Sequence, residues 1–383
     1  MNLHEIIPAD LMNLRDLFVA EGDDLRFVGG FPRDIMAKVQ FKDIDLATNA
    51  DPDKQIAIYK KYGIRYYETG LDHGTISVGL ESGIYEITSL RTESNHDGRH
   101  ATVAYTRDWL EDLSRRDLTI NAMSITFDGE LIDPYNGAQD LKNKVVRFVG
   151  NPDERLTEDY LRILRFFRFH ARIAEAGPMD SDTREAVARN APGLVGISRE
   201  RVWMEMAKII AGKAGPEMIE AIISLNVAEY IDLPTGDMHN LRKAYDASKD
   251  PVVLVVAYLN DAEAVAKIAA DWKWSAADRD RAVFIANHMN GHFTNYHALM
   301  ARDGFSKDWV VDLATVDWGN HGYVGYLRNW DVPVFPVTGK DLMSDPVKPM
   351  KQGKEMGVRL KTMKDAWAKT NYAMTKEELM RKF

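Results

Sequence analysis

The spacing of apolar positions changes near residue 150. Before it, short apolar runs alternate with turn residues. Beyond it, apolar positions recur every three to four residues, the helical period. In the first part, Leu25–Val28, Asp43–Leu46, Arg65–Glu68, Thr75–Leu80 and Tyr85–Leu90 read as strands. Phe31–Val39 reads as a helix, with Pro32 tolerated in its first turn. Asp51-Pro52 opens another helix that runs to about Tyr62. Residues 92–107 are polar and aperiodic and predict a loop, and a helix–strand passage follows over 108–127. After Pro152 strand signals fade. Helices are predicted over 156–176, 180–189, 198–211, 214–225 and 238–248, with more within 252–317 and 351–368. Val332–Val337 contains proline and marks a joint before the last helices. The fold class expected is α+β: a mixed-sheet N-terminal domain, then an elongated helical region.

Composition narrows the function. A chain of 383 residues has room for two or three domains at about 150 residues each. Hydrophobic residues at 45% and charged residues at 28% allow a sizeable core. Forty-nine basic against 58 acidic residues give a net charge of −9, which excludes a uniformly cationic surface. Nucleic-acid binding would then depend on local patches. Cysteine is absent, so disulfides, cysteine-ligated metals and thiol nucleophiles are excluded. The longest apolar run, Val252–Leu259, is far short of the roughly 20 residues that span a bilayer. No membrane partner is expected. The first residues carry no basic segment followed by an apolar stretch, and the expected location is cytoplasmic. A monomer is the default.

The chemistry concentrates in the first part. In the strand Asp43-Ile44-Asp45-Leu46, the two-residue period puts both aspartates on one face. Two carboxylates this close repel unless a cation sits between them, and Mg2+ suits hard oxygen ligands beside substrate phosphates. Alone, such a pair reads more readily as two solvated acids. Gly29-Gly30 changes the balance, because it puts side-chain-free backbone at the end of the preceding strand, where phosphates can approach. Glu86 becomes a third carboxylate if its strand adjoins that of Asp43.

Gly29-Gly30-Phe31-Pro32-Arg33-Asp34 followed by Asp43-Ile44-Asp45-Leu46-Ala47-Thr48 resembles the active-site signature of class II CCA-adding tRNA nucleotidyltransferases. These belong to the polymerase-β-like superfamily and are related to bacterial poly(A) polymerases. The match continues through His73-Gly74-Thr75-Ile76, Glu86-Ile87-Thr88-Ser89-Leu90-Arg91, Asp97-Gly98-Arg99-His100-Ala101 and Arg115-Arg116-Asp117-Leu118-Thr119-Ile120-Asn121-Ala122. Glu158-Asp159-Tyr160-Leu161-Arg162-Ile163-Leu164-Arg165 resembles the nucleotide-selecting motif, and Ser198-Arg199-Glu200-Arg201-Val202 the next helical signature. Pro32 and Tyr160 depart from the family pattern, Tyr160 standing where proline is frequent.

The resemblance implies a catalytic head over 1–150, a base-selecting neck over 151–212, a body over 213–330 and a tRNA-binding tail over 331–383. It implies untemplated addition of CMP, CMP and AMP from CTP and ATP to the tRNA 3′ end. Pyrophosphate would leave by two-metal phosphoryl transfer on Mg2+. Asp43 and Asp45 match the metal-binding acids and Glu86 the additional acid. Gly29, Gly30 and Arg33 match the triphosphate site; Asp112, Arg115, Arg116 and Asp117 match a motif that contacts the incoming nucleotide. Asp159 and Arg162 match the base-reading pair, with Arg165 beside them, and 92–107 matches a flexible loop for the switch from CMP to AMP.

On a predicted helix, Asp159 and Arg162 would be neighbours at i,i+3. Aspartate accepts from an exocyclic amino group and arginine only donates. Cytosine and adenine both offer an amino group beside a ring acceptor; uracil and guanine present a carbonyl there. The bare spacing also fits an ordinary surface salt bridge. Arg162, Arg165, Arg168 and Arg172 share one broad helix side, and Phe166 and Phe167 read as core. Segment 340–364 carries seven basic residues against three acids and suits the phosphates of the tRNA acceptor–TΨC arm. The alternatives are a poly(A) polymerase, a CC-adding-only enzyme and a noncatalytic tRNA-binding protein.

Overall fold

The computed structural model describes residues 3, 5–41, 43–94, 102–290 and 295–383. The chain divides into two compact units, Met1–Leu233 and Pro234–Phe383.

In the first unit, helix α1 (Ala9–Ala20) precedes strand β1 (Leu25–Val28), helix α2 (Gly30–Met36), strand β2 (Asp45–Thr48) and helix α3 (Pro52–Tyr62). Strands β3 (Arg65–Gly70), β4 (Thr75–Gly79) and β5 (Ile84–Ser89) follow, with a 3-10 turn at Leu71–His73. Strands β6 (Arg91–Ser94) and β7 (Thr102–Tyr105) lead to helix α4 (Trp109–Ser114), then β8 (Ser124–Thr126) and β9 (Leu131–Ile132). The main sheet has the order β3-β4-β5-β2-β1-β8-β9. It is mixed: β2 pairs β5 in parallel, and its other pairs are antiparallel. One sheet face packs on α1 and α3 through Phe27, Leu46, Ile87, Phe18 and Tyr59, and Phe27 stacks on Phe127 at 4.3 Å. Helix α1 was not anticipated, although Leu11, Leu14 and Phe18 lie at helical spacing and are buried.

The loop expected over 92–107 is in part a hairpin, because β6 and β7 pair from Arg91↔Tyr105 to Ser94↔Thr102. Backbone pairing needs no apolar alternation, so the sequence pattern carries no strand signal there. Residues 95–101, including the Asp97-Gly98-Arg99-His100-Ala101 motif, lie outside the described residues.

The remaining helices of this unit are α5 (Gly137–Asn143), α6 (Pro152–Glu158), α7 (Arg162–Ile173), α8 (Ser181–Asn190), α9 (Arg199–Ala211), α10 (Gly215–Ser224) and α11 (Val227–Tyr230). The single helix expected over 156–176 is therefore two, broken at 159–161. Phe166 and Phe167 are fully buried, as the pattern predicts.

The second unit is helical among its described residues: α12 (Met238–Tyr245), α13 (Pro251–Leu259), α14 (Ala262–Asp271), α15 (Ala276–His288), α16 (Tyr296–Ala301), α17 (Lys307–Trp318), α18 (Gly322–Asn329), α19 (Gly339–Met343), α20 (Lys354–Lys369) and α21 (Lys376–Lys382). All of Val252–Leu259 is buried, so this apolar run is a central helix of the unit. Among the described residues no helix is long and apolar enough to cross a membrane.

Candidate active site

The turn between β1 and α2 sets the geometry. Gly29 has φ +66°, and a Cβ there would stand 3.1 Å from Asp45 Oδ2. Both the left-handed backbone and the close approach call for glycine. Asp45 opens β2 and lies between Val28 of β1 and Glu86 of β5 in the register. Asp43 precedes the strand instead of lying in it, which corrects the expected span. The facing still holds, because Ile44 packs on the core and Leu46 is buried, while Asp43 and Asp45 both line the cleft. The carboxylates of Asp43, Asp45 and Glu86 receive no hydrogen bond or ion pair from any described residue.

That cleft has a volume of about 990 Å3 and is lined by eight arginines and seven carboxylates. One part of the lining comes from the central strands of the sheet and the turn after β1, with Gly29, Gly30 and the three acids. The other carries Arg115, Arg116 and Asp117, then Asp159 and the Arg162, Arg165, Arg168 and Arg172 face of α7. The expected arginine face is thus present.

A chain of polar contacts joins the two walls. Arg165 Nε donates to Asp117 Oδ2 at 2.7 Å, and Asn121 Nδ2 donates to Asp117 Oδ1 at 3.1 Å. Arg33 Nη1 donates to Asn121 Oδ1 at 2.7 Å and Arg33 Nε to Asp34 Oδ1 at 3.0 Å. Arg172 Nη2 reaches the same Asp34 oxygen at 2.9 Å. Phe169, on α7, sits under the guanidiniums of Arg168, Arg33 and Arg165 at 4.6, 5.1 and 5.9 Å from its ring centre.

Burial raises Asp117, but the Arg165 charge and hydrogen bonds from Arg165, Asn121 and Leu118 outweigh it and hold the carboxyl below its ordinary value. Burial lowers Arg33, opposed by Asp34. An arginine stays charged even so. Asp117 and Arg33 therefore both stay charged at neutral pH.

Asp112 is not at the cleft. It is buried, and takes Arg115 Nη2 at 2.6 Å, Arg116 Nη2 at 3.1 Å and the Arg91 backbone N–H at 3.3 Å. Burial raises its pKa, but the two arginines bring it below the ordinary carboxylate value. An acid in the middle of short helix α4 faces inward, where it aims Arg115 and Arg116 and touches no open space.

Asp159 and Arg162 are not helical neighbours either. Asp159 ends α6 in an extended conformation, φ −154° and ψ 103°. Its Oδ1 accepts from Leu161 N–H at 3.1 Å and its Oδ2 from Arg201 Nη2 at 2.8 Å. Arg162 opens α7; its Nη1 donates to Arg155 O at 3.0 Å and Glu158 Oε2 at 2.6 Å, and its Nη2 to Arg115 O at 3.1 Å. Both residues line the cleft. Asp34, Asn121, Glu158, Phe169 and Arg201 also belong to the site, although they carry no role in the sequence analysis. Asn121 and Arg201 lie inside the family-like motifs, but their partners Arg33 and Asp159 are 88 and 42 residues away. No local spacing reveals such pairs.

A family model described as the poly A polymerase head domain matches residues 25–147, and one described as the probable RNA and SrmB-binding site of polymerase A matches 178–234. The mitochondrial CCA tRNA nucleotidyltransferase 1 of Homo sapiens is 38% identical, covering 97% of this chain and 88% of its own length. The chain belongs to the class II CCA-adding tRNA nucleotidyltransferases. The CCA-adding enzyme of Bacillus subtilis is 36% identical over 61% of this chain and 57% of its own. The fold agrees with two solved structures. The Bacillus stearothermophilus CCA-adding enzyme in complex with CTP has a TM-score of 0.76 at 24% identity, covering 97% of this chain and 95% of that one. The Thermotoga maritima CCA-adding enzyme complexed with tRNA has a TM-score of 0.68 at 18% identity, covering 99% and 96%.

The relatives that cover nearly the whole of this nucleotidyltransferase correct the cytoplasmic expectation. The human, mouse and zebrafish relatives that match over 97% of the chain are all named as mitochondrial enzymes. The expectation rested on composition, the lack of a membrane span and the pattern of the first residues, and none of these reports on the compartment in which a folded enzyme works.

Proposed function

We propose that this nucleotidyltransferase adds CMP, CMP and AMP to the 3′ end of tRNA, taking CTP and ATP as substrates and releasing pyrophosphate. The observation that carries the reading is one cleft in which three unpaired carboxylates face an arginine wall that also bears Asp159 and Arg162.

Asp43 and Asp45 would hold Mg2+, with Glu86 beside them. No described group of three or more acids or histidines forms a ready metal cage. That fits Mg2+, which is held through one or two carboxylates together with water and substrate phosphates. When bound, Mg2+ supplies Lewis-acid activation of the RNA 3′ hydroxyl and charge neutralisation at the leaving pyrophosphate, in the two-metal manner.

The protein's own groups orient the substrates. Gly29 and Gly30 bring backbone against Asp45 with no side chain in the way. Arg33 and Arg165, fixed by Asn121 and Asp117, meet the triphosphate; Arg115 and Arg116, aimed by Asp112, also meet the nucleotide. A carboxylate has about four acceptor sites, so Asp159 can still accept from an amino N–H. Three of the five guanidinium N–H groups of Arg162 are engaged. Nε–H and one Nη2–H remain for cytosine N3 and O2, or for adenine N1. Uracil and guanine set a carbonyl oxygen against Asp159, a mismatch of roughly 1–3 kcal/mol.

The four-part division at residues 150, 212 and 330 belongs to this proposal, as does tRNA holding by the tail. In 340–364, Asp341 pairs with Lys376 and Asp345 with Arg359 at 3.0 Å. Lys340, Lys348, Lys351, Lys354 and Lys361 are left exposed for phosphates.

The test is incubation of the purified protein with tRNA lacking its CCA end, CTP, ATP and Mg2+, followed by 3′-end sequencing. Ends extended to CCA are expected. AMP tails without CMP would select poly(A) polymerisation, addition halting after CC would select the CC-adding activity, and no addition would sink the reading.

A further inference from the structure

Helix α6 ends at Glu158 and α7 begins at Arg162. Backbone bonding does not fix the residues between them from upstream: Tyr160 N–H makes no hydrogen bond with any described residue. Packing does. The Tyr160 ring rests against Gly193 so closely that a Cβ on that glycine would overlap ring atoms Cγ, Cδ1 and Cε1. Gly193 is not in the left-handed region, so its backbone conformation makes no demand for glycine; the seat for the ring does. The glycine lies in the 3-10 turn Ala191–Gly196, anchored by fully buried Ala191 and Leu194. The same chain runs on into α9, whose Arg201 bonds Asp159 Oδ2 at 2.8 Å. One anchored segment thus supplies a floor for Tyr160 and a cation for Asp159.

We propose that Tyr160 and Gly193 form a positioning pair for nucleotide selection, holding Asp159 extended so that its carboxylate faces the base. The proposal rests on the reading of Asp159 as the base-reading acid. Proline at position 160 would hold residue 159 extended by covalent means. Here ring-on-glycine packing does the same work, and the unbonded Tyr160 N–H means that proline would lose no hydrogen bond.

The experiment reads the ratio of CMP to UMP addition on tRNA lacking its CCA end, together with melting curves. It compares the wild type with Asp159→Ala, Gly193→Ala and the double variant Tyr160→Pro/Gly193→Ala. The added methyl of Gly193→Ala displaces the ring and Asp159 with it. The ratio should fall about tenfold with the melting curve preserved, and the proline double variant should restore it. A ratio lost in Asp159→Ala but kept in Gly193→Ala overturns the pair alone. A ratio kept in Asp159→Ala overturns the base reading, and the pair with it. A ratio that stays low in the proline double variant assigns the loss to the turn and overturns the pair. If Gly193→Ala does not fold, Tyr160→Ala/Gly193→Ala removes the overlap: a wild-type ratio there overturns the pair, and a lowered one supports it.

Discussion

Asn121→Ala separates phosphate binding from base selection. The Asn121 carboxamide is buried and bridges two charges, accepting from Arg33 Nη1 at 2.7 Å and donating to Asp117 Oδ1 at 3.1 Å. Without it, Arg33 keeps only its Nε bond to Asp34, so the guanidinium can swing away from Gly30. Asp117 suffers less, because Arg165 and the Leu118 N–H remain. A hydrogen bond to a charged group contributes roughly 1.5–3 kcal/mol. Loss of the fixed Arg33 should therefore lower kcat/KM about tenfold to a hundredfold, at about 1.4 kcal/mol per tenfold. Arg33 is proposed to meet phosphates, which every nucleotide carries. CTP and ATP should suffer equally, chiefly in KM, and the preference for CTP over UTP should stay at its wild-type value. Steady-state kinetics with each nucleotide on tRNAs ending before the first C and before the final A measure this. A loss confined to ATP, or a collapse of the C-over-U preference, would refute the separation.

Other changes act on different parts. Asp45→Asn should abolish CMP addition while tRNA binding by gel shift is retained; a turnover near wild type would remove the acid from the reaction. Replacing Lys351, Lys354 and Lys361 by Ala should weaken tRNA binding and flatten its salt dependence, by about 0.9 in the log–log slope for each phosphate no longer neutralised. An unchanged slope would show that this patch does not touch the RNA backbone. Asp312 shares Arg281 with Asp250 and Asp278, and burial pushes its carboxyl up to about 6, with Arg281 opposing. The folded state binds this proton more tightly than the unfolded chain. The stability it contributes is therefore full below about pH 4 and lost as pH rises through about 6. Asp312→Asn should raise the melting temperature at pH 8, by a free energy of up to about 3 kcal/mol, and give no gain at pH 4.

The cleft-lining acids Asp43 and Asp45 and the helical second part were legible because both depend on local order. An Asp-x-Asp spacing after a glycine pair marks the Asp43–Asp45 segment, although only Asp45 lies in the strand, and apolar spacing identifies helices such as α9 and α10 within a residue or so. The misreadings share one cause, a tertiary contact that overrides local pattern. The stretch 156–176 has helical composition throughout. It breaks at Asp159, where the carboxylate bonds Arg201 and the Leu161 N–H and the Tyr160 ring takes its seat on Gly193. Asp112 sits in a motif otherwise devoted to the cleft, yet turns inward because Arg115, Arg116 and the Arg91 N–H converge on it. The hairpin of β6 and β7 has polar strands held by backbone bonds, which leave no apolar signature.

How base and phosphate readings stay in register follows from helix α7. Arg165 and Arg172 lie seven residues apart, about two helical turns, and so share a face. The first binds Asp117 and the second Asp34; those two acids are joined in turn through Asn121 and Arg33. The circuit closes on the helix at two heights. α7 cannot roll without breaking one of these bonds, nor slide without straining both. Arg162, at the N-terminal end of the same helix, is thereby held at a fixed offset from Arg165 and Arg172. The donors that meet the base are positioned by the protein whichever nucleotide enters. On the proposed reading, a change from C to A would then be met at Asp159 and the loop segment, while one triphosphate site serves every addition.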